Sequence, residues 1–219
     1  MWSRIPCCLN NLPEGNVEEI KARGSANRIL EVACRYESCF LVKYLIEKWE
    51  CDPKTKDSSN ETLLHTASLH GHLDIVKYLV EKCHCNPEIK NDYNKTPLFR
   101  ASTCGHLNTV EYLFEKCHCD PNVQNKYKKT PLSKAFKYGR LDTAKCLIEK
   151  CHCDPEGQME NGWTPLYIAV NNSHSKVVEY LVEKCKATIT DEIIQAAGNE
   201  EIKNYLLEQQ KEQKRNQNQ

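Results

Sequence analysis

Thr62, Thr96, Thr130 and Thr164 stand 34 residues apart, and the residues around them recur in step. Three of them open the triplet Thr-Pro-Leu, at Thr96-Pro97-Leu98, Thr130-Pro131-Leu132 and Thr164-Pro165-Leu166. Ala67, Ala101, Ala135 and Ala169 follow five residues later, and Gly71, Gly105, Gly139 and Ser173 nine later. Leu79, Leu113, Leu147 and Leu181 follow seventeen later. A fixed period of this length belongs to stacked arrays, in which each unit buries its apolar face only against its neighbours. A single globular core is thereby excluded, and function becomes a matter of surfaces.

The unit can be read from residues 96–129. Thr96 is an N-cap whose hydroxyl can accept from a first-turn amide, and Pro97 takes the first helical position, where its missing donor is no loss. Leu98 and Ala101 share one face of a short helix that Gly105 ends. Leu107, Val110, Leu113 and Phe114 form an apolar stripe at helical spacing, with Glu111 and Glu115 on other faces. Pro121 follows the end of this second helix, since proline cannot continue it. The polar run 122–129 is a turn-rich excursion before the next Thr-Pro-Leu. Repeats are therefore expected at 28–61, 62–95, 96–129, 130–163 and 164–189. Residues 1–27 read as a partial N-terminal capping repeat, with Gly15 to Lys21 resembling an isolated second helix. Residues 190–207 read as degenerate capping helices, where Glu200 replaces a stripe leucine. The Gln/Lys/Asn-rich end, 208–219, has no apolar residue to bring to a core and is expected to be disordered.

Thirty basic and thirty acidic side chains balance, so no global field draws nucleic acid or an anionic membrane. No apolar run approaches the roughly 20 residues of a membrane span, and the first eleven residues lack an apolar stretch of signal-peptide length. A cytoplasmic or nuclear chain is expected. Fourteen cysteines would suit a secreted disulfide scaffold, but most recur inside apolar helical patterns, as small buried hydrophobes do. Reduced thiols are expected.

Cys83-His84-Cys85, Cys117-His118-Cys119 and Cys151-His152-Cys153 raise a metal ladder, because thiolate and imidazole are zinc ligands. Helices in neighbouring units stand roughly 8–10 Å apart, too far for equivalent cysteines to share one tetrahedral ion or a disulfide. The expectation is that each cysteine fills an apolar slot and each histidine caps a helix end near its carbonyls, with no metal or other cofactor. A triplicated Cys–His pair is equally unlike an active site, and phosphate-loop, His-Glu-x-x-His and Gly-x-Ser-x-Gly motifs are missing from the sequence. The chain reads as non-enzymatic.

Thr62-Leu63-Leu64-His65-Thr66-Ala67, the three Thr-Pro-Leu triplets, and Gly71-His72-Leu73-Asp74-Ile75-Val76 together resemble the ankyrin repeat. The resemblance covers about residues 28–190. It implies an all-α repeat solenoid of stacked helix-turn-helix units with β-hairpin fingers along one edge. The family unit is usually 33 residues long with a glycine after the second helix, where this chain has Cys-His-Cys and one residue more. The finger-turn glycine is kept only as Gly162, with Asn60, Asn94 and Lys128 elsewhere. Asparagine tolerates positive φ better than lysine does, which makes the finger before Thr130 the least regular. The resemblance also puts Asn122 where some members carry a hydroxylated asparagine, although Pro121 departs from that pattern.

In this family the finger tips and the ends of the inner helices vary to bind partners. Carried onto this chain, those positions are Leu69, His70, Tyr93, Lys95, Cys104, Lys126, Tyr127, Lys129, Lys137, Tyr138 and Trp163. Aromatic and long cationic side chains on a rigid surface are common interface anchors. Lys126, Lys128, Lys129, Lys134, Lys137 and Arg140 gather in one unit and suggest an acidic patch on the partner. The expected function is a monomeric scaffold that binds another protein. A substrate-receptor or targeting module within a larger protein is the alternative, followed by a metal- or redox-responsive thiol protein.

Overall fold

The structure, a computed structural model, describes residues 25–156 and 162–217. The half-unit expected at Gly15 to Lys21 lies outside the described residues. Among them are twelve helices in six pairs: α1 Ser25–Arg35 with α2 Cys39–Lys48, α3 Leu63–His70 with α4 Leu73–Glu81, and α5 Pro97–Cys104 with α6 Leu107–Glu115. Then follow α7 Pro131–Lys137 with α8 Leu141–Glu149, α9 Pro165–Asn171 with α10 Ser175–Glu183, and α11 Asp191–Gln195 with α12 Glu200–Gln217. The first helices of the pairs form an inner row in which each packs on the next. The second helices form an outer row that touches more sparsely. A row that packs more closely lies on the inside of a bend, so the inner helices line the concave side.

The units turn at left-handed joints of three kinds. The first ends the inner helix, at Glu37, Gly71, Gly105, Gly139 and Ser173. The second ends the outer helix, at Glu50, His84, His118, His152 and Lys186. The third is in the finger, at Asn60, Asn94, Lys128 and Gly162. Threonine starts the inner helices as expected: Thr96 Oγ1 accepts from Phe99 N at 3.2 Å, Thr130 Oγ1 from Ser133 N at 3.1 Å, and Thr164 Oγ1 from Tyr167 N at 3.2 Å. Leu98, Ala101, Val110 and Leu113 are fully buried, as are Ile75, Val76, Leu79, Ala144 and Leu147.

The glycines at the first joint also meet a tight steric limit. Gly71 has φ +76°, and a Cβ there would lie 2.3 Å from His106 Nδ1 of the next unit. That imidazole packs over the joint to donate from Nε2 to Leu69 O at 2.9 Å. The same bond recurs from His72 to Arg35 O at 3.0 Å and from His174 to Lys137 O at 2.8 Å.

Three expectations change. Among the described residues the fingers form no strands; Lys56 and Thr62 make one isolated bridge. One backbone bond closes each described turn, from Asp57 N to Glu61 O, Asn91 N to Lys95 O and Asn125 N to Lys129 O, and a side chain staples it as well. Asn91 Oδ1 accepts from Tyr93 N at 3.0 Å and Lys95 N at 2.9 Å, and Asn125 Oδ1 from Tyr127 N at 2.9 Å and Lys129 N at 3.0 Å. With that staple, Lys128 adopts φ 56° in the same turn that Asn94 makes at φ 54°. Second, the triplet histidines end their helices by backbone rather than by imidazole. His84, His118 and His152 are exposed and left-handed, and Cys85, Cys119 and Cys153 donate back to the helix at 3.0, 3.1 and 2.9 Å. Third, the polar tail is helical to Gln217. Gln210 Nε2 donates to Ile189 O at 3.2 Å and Asp191 Oδ1 at 2.8 Å, and Gln213 Nε2 donates to Ala187 O at 3.1 Å. Glutamine side chains thus dock the polar end of the helix on the preceding loop, beyond its buried Ile202 and Leu206.

Candidate functional site

The finger turns are tied to one another, which sets where their tips stand. Asp92 N donates to Ser59 O at 3.0 Å and Lys126 N to Tyr93 O at 2.8 Å. Tyr93 and Tyr127 are thereby brought together as stacked rings with centroids 6.5 Å apart and planes inclined by 22°. Both remain 40% or more exposed, as do Tyr138 and Trp163. A folded protein leaves such area open at a cost, and Tyr36 and Phe40 of the first unit are exposed as well.

Lysines frame the Tyr93 and Tyr138 rings. Lys95 Nζ lies 5.3 Å from the Tyr93 ring centroid and Lys134 Nζ 5.7 Å from that of Tyr138. Lys134 projects from the middle of α7, half-buried, and Lys137, Lys95 and Lys129 all act on it. Its ammonium is held below the usual lysine range, first by burial and then by repulsion from those three cations. The fingers of two units and one inner helix thus gather positive charge into a half-shielded spot walled by tyrosines.

Beside it, Glu61 forms an ion pair with Arg100 Nη2 and accepts from Asn91 Nδ2 at 2.7 Å. Glu61 therefore orients Asn91, which in turn staples the Tyr93 turn. Sequence reading passed over Arg100 and gave Lys134 no role of its own. The signal was the 34-residue register Val32, Thr66, Arg100, Lys134, Ile168, where two successive units place a cation on the inner helix and the flanking units do not.

The structure does not gather all the expected residues. Trp163 closes on Tyr167 of its own unit, with centroids 5.0 Å apart. Leu69 and His70 stand two units earlier, at the end of α3 that Lys137 and Tyr138 occupy in α7; there Leu69 supplies the carbonyl for His106 and the His70 ring stacks on His72 at 5.8 Å. Burial, then the neighbouring His72, Arg35 and His106, keep the His70 imidazole below its usual range. Cys104 is half-buried at the equivalent end of α5.

The Cys-His-Cys segments face the other way. Cys85 Sγ donates to Pro53 O at 3.8 Å and Cys119 Sγ to Pro87 O at 3.7 Å, each reaching the preceding unit while the adjacent histidine points to solvent. Burial pushes the Cys85 thiol up to about 11 and those of Cys119 and Cys153 up to about 12. Among the described residues no three His, Cys, Asp or Glu side chains converge as a metal site would require.

The ankyrin-repeat family model matches residues 30–125 and 116–192, three quarters of the chain. The chain belongs to the ankyrin-repeat family. No curated protein matches it. Ankyrin repeats are general modules for protein–protein interaction, typically without catalytic activity. No described helix is long and apolar enough to cross a membrane.

Proposed function

We propose that this chain binds an acidic segment of another protein on its concave side, at the strip formed by Tyr93, Tyr127 and Tyr138 with Lys95, Lys129, Lys134 and Lys137. The observation that carries the reading is the half-buried Lys134. Burying the Lys134 ammonium beside Lys137 and Lys95 opposes folding, and an arriving carboxylate offsets both the burial and the repulsion. The tyrosines supply rigid contact area that loses little side-chain entropy on binding.

The test is titration of isotopically labelled protein with acidic peptides and with matched peptides in which Asp and Glu become Asn and Gln. Amide shifts should cluster at residues 93–95, 126–138 and their neighbours, weaken with salt, and vanish with the neutral peptides. Lys134→Glu and Tyr127→Ala should each weaken binding while the thermal midpoint stays within a few degrees. Glu115→Gln, on the outer row, should change nothing. Shifts confined to the outer helices would place the contact on the convex side and end this reading.

A further inference from the structure

Four outer helices carry tyrosine at one register: Tyr44, Tyr78, Tyr112 and Tyr180. The hydroxyls of the last three donate to a glutamate of the preceding unit, at 3.0 Å to Glu47, 2.9 Å to Glu81 and 2.9 Å to Glu149. Those three also share a hydrogen bond with the cysteine five residues on, Cys83, Cys117 or Cys185, where Tyr44 has Trp49 instead. In α8 the same position is Cys146. Its sulfur bonds Cys151, again five residues on, so one substitution in the repeat turns a tyrosine–thiol pair into a dithiol. The glutamate that a tyrosine would have reached is held instead by Lys150, whose Nζ lies 2.6 Å from Glu111 and 3.6 Å from Glu115.

The backbone brings the two cysteines within bonding reach. Cys151 N donates to Cys146 O at 3.1 Å, in the widened last turn that accommodates the extra residue of this repeat. A path of Cα–C=O···N–Cα with that bond cannot exceed about 7 Å. Disulfides span Cα separations of roughly 4.4–6.8 Å. Each residue is 6% exposed, so the pair is shielded from bulky reagents but sits at the surface end of an outer helix.

We propose that Cys146 and Cys151 are an oxidant-sensitive pair that closes to an intramolecular disulfide when a hydroperoxide reaches it. The Cys146 thiolate attacks one oxygen of hydrogen peroxide, forming a sulfenic acid and releasing hydroxide. The Cys151 sulfur then attacks the Cys146 sulfur; the S–O bond breaks, and its oxygen leaves as water with the Cys151 proton. Two electrons pass from the two sulfurs to the peroxide, whose O–O bond is cleaved. The assignment of roles follows from the shared bond. Donation by Cys151 draws the Cys146 thiol below its ordinary range, helped by Lys150 and opposed by burial and by Glu111 and Glu115. That same bond, with burial, holds Cys151 protonated. By contrast, burial keeps the Cys85, Cys119 and Cys153 thiols high and unreactive.

The test exposes the full reduced chain to stoichiometric hydrogen peroxide, blocks remaining thiols with N-ethylmaleimide, and maps tryptic peptides by mass spectrometry. Cleavage after Lys145 and Lys150 separates the two cysteines, so the disulfide appears as a linked pair of peptides that dithiothreitol splits. The linked pair should dominate the oxidised products and re-form after reduction. Cys146→Tyr, which restores the pattern of the neighbouring units, should keep the circular dichroism spectrum and lose the link. The proposal is overturned if the native chain yields Cys146 as free thiol or as sulfinic acid without the link. It is equally overturned if Cys151 is cross-linked to another cysteine as readily in Cys146→Tyr as in the native chain.

Discussion

Replacing Gly71 by alanine separates two costs that are usually confounded. The residue sits at φ +76°, where an L side chain costs roughly 1–2 kcal/mol. Restricting the unfolded chain returns about 0.4–1 kcal/mol of that. The new methyl would also lie 2.3 Å from Nδ1 and 2.5 Å from Cγ of His106, and a ring cannot yield as a flexible chain end can. The imidazole must swing away, breaking its 2.9 Å bond to Leu69 O and leaving a carbonyl unpaired, worth roughly 1–3 kcal/mol. The sum is about 2–4 kcal/mol. Gly162→Ala is the control: φ is +71°, and nothing lies within 4 Å of its Cβ. It should cost about 1 kcal/mol or less, the dihedral penalty alone. Gly105→Ala should fall between, because its Cβ would meet the Arg140 Cδ at 2.7 Å and that side chain can move. Urea denaturation followed by circular dichroism gives all three values. In a His106→Ala background the Gly71→Ala cost should shrink to that of Gly162→Ala. Equal losses for Gly71→Ala and Gly162→Ala in the native background would refute the reasoning.

Leu113→Ala, at a fully buried stripe position, should lose about 2–5 kcal/mol by the same assay, and a loss under half a kcal/mol would show that the stripe faces no core. Thr109 and Thr143 bury hydroxyls that have no hydrogen-bond partner, at the register where other units have Ile75 and Val177. Thr109→Val should therefore raise stability by about 1 kcal/mol, seen as a thermal midpoint some 2–4 °C higher. Stability should also fall in acid. Thr62 N donates to His65 Nδ1 at 3.2 Å and His65 Nε2 donates to Lys95 O at 2.9 Å, so the buried ring must be neutral. Burial holds its pKa below the usual 6.5, against smaller upward effects of Lys95 O and Asp57. The unfolded chain then binds the extra proton, so this contribution is complete above about pH 6.5 and is lost as pH falls towards the folded pKa, at up to about 1.4 kcal/mol per unit. His65→Gln should flatten that slope in a pH series of melts.

Where side-chain periodicity decided an element, the sequence was enough to read it. Thr96-Pro97-Leu98 announces a helix start, and the Leu107, Val110, Leu113 stripe announces which face is buried, because both depend on local chemistry repeated every 34 residues. The joints were harder. His84 and Lys128 are residues that seldom adopt positive φ, and the forces that place them there come from Leu79 O in one case and the Asn125 staple in the other. The tail was misread because Gln210 and Gln213 look featureless until the backbone of 187–191 is placed beside them. In the candidate site, the exposed tyrosines could be named from the sequence. The convergence on Lys134 could not, because it depends on two fingers and a helix being brought to one point.

The finger tips also amount to a measuring scale. Lys126 N bonds Tyr93 O and Asp92 N bonds Ser59 O, so neighbouring tips cannot slide independently, and the Tyr93 and Tyr127 rings keep their 6.5 Å interval. An extended polypeptide advances roughly 3.3 Å per residue, so two residues cover about the same distance. A chain lying along the tips would set every second side chain against a successive tyrosine and turn the intervening ones outward. Lengthening one finger by a residue would break that commensurability without disturbing a single buried contact in the helices.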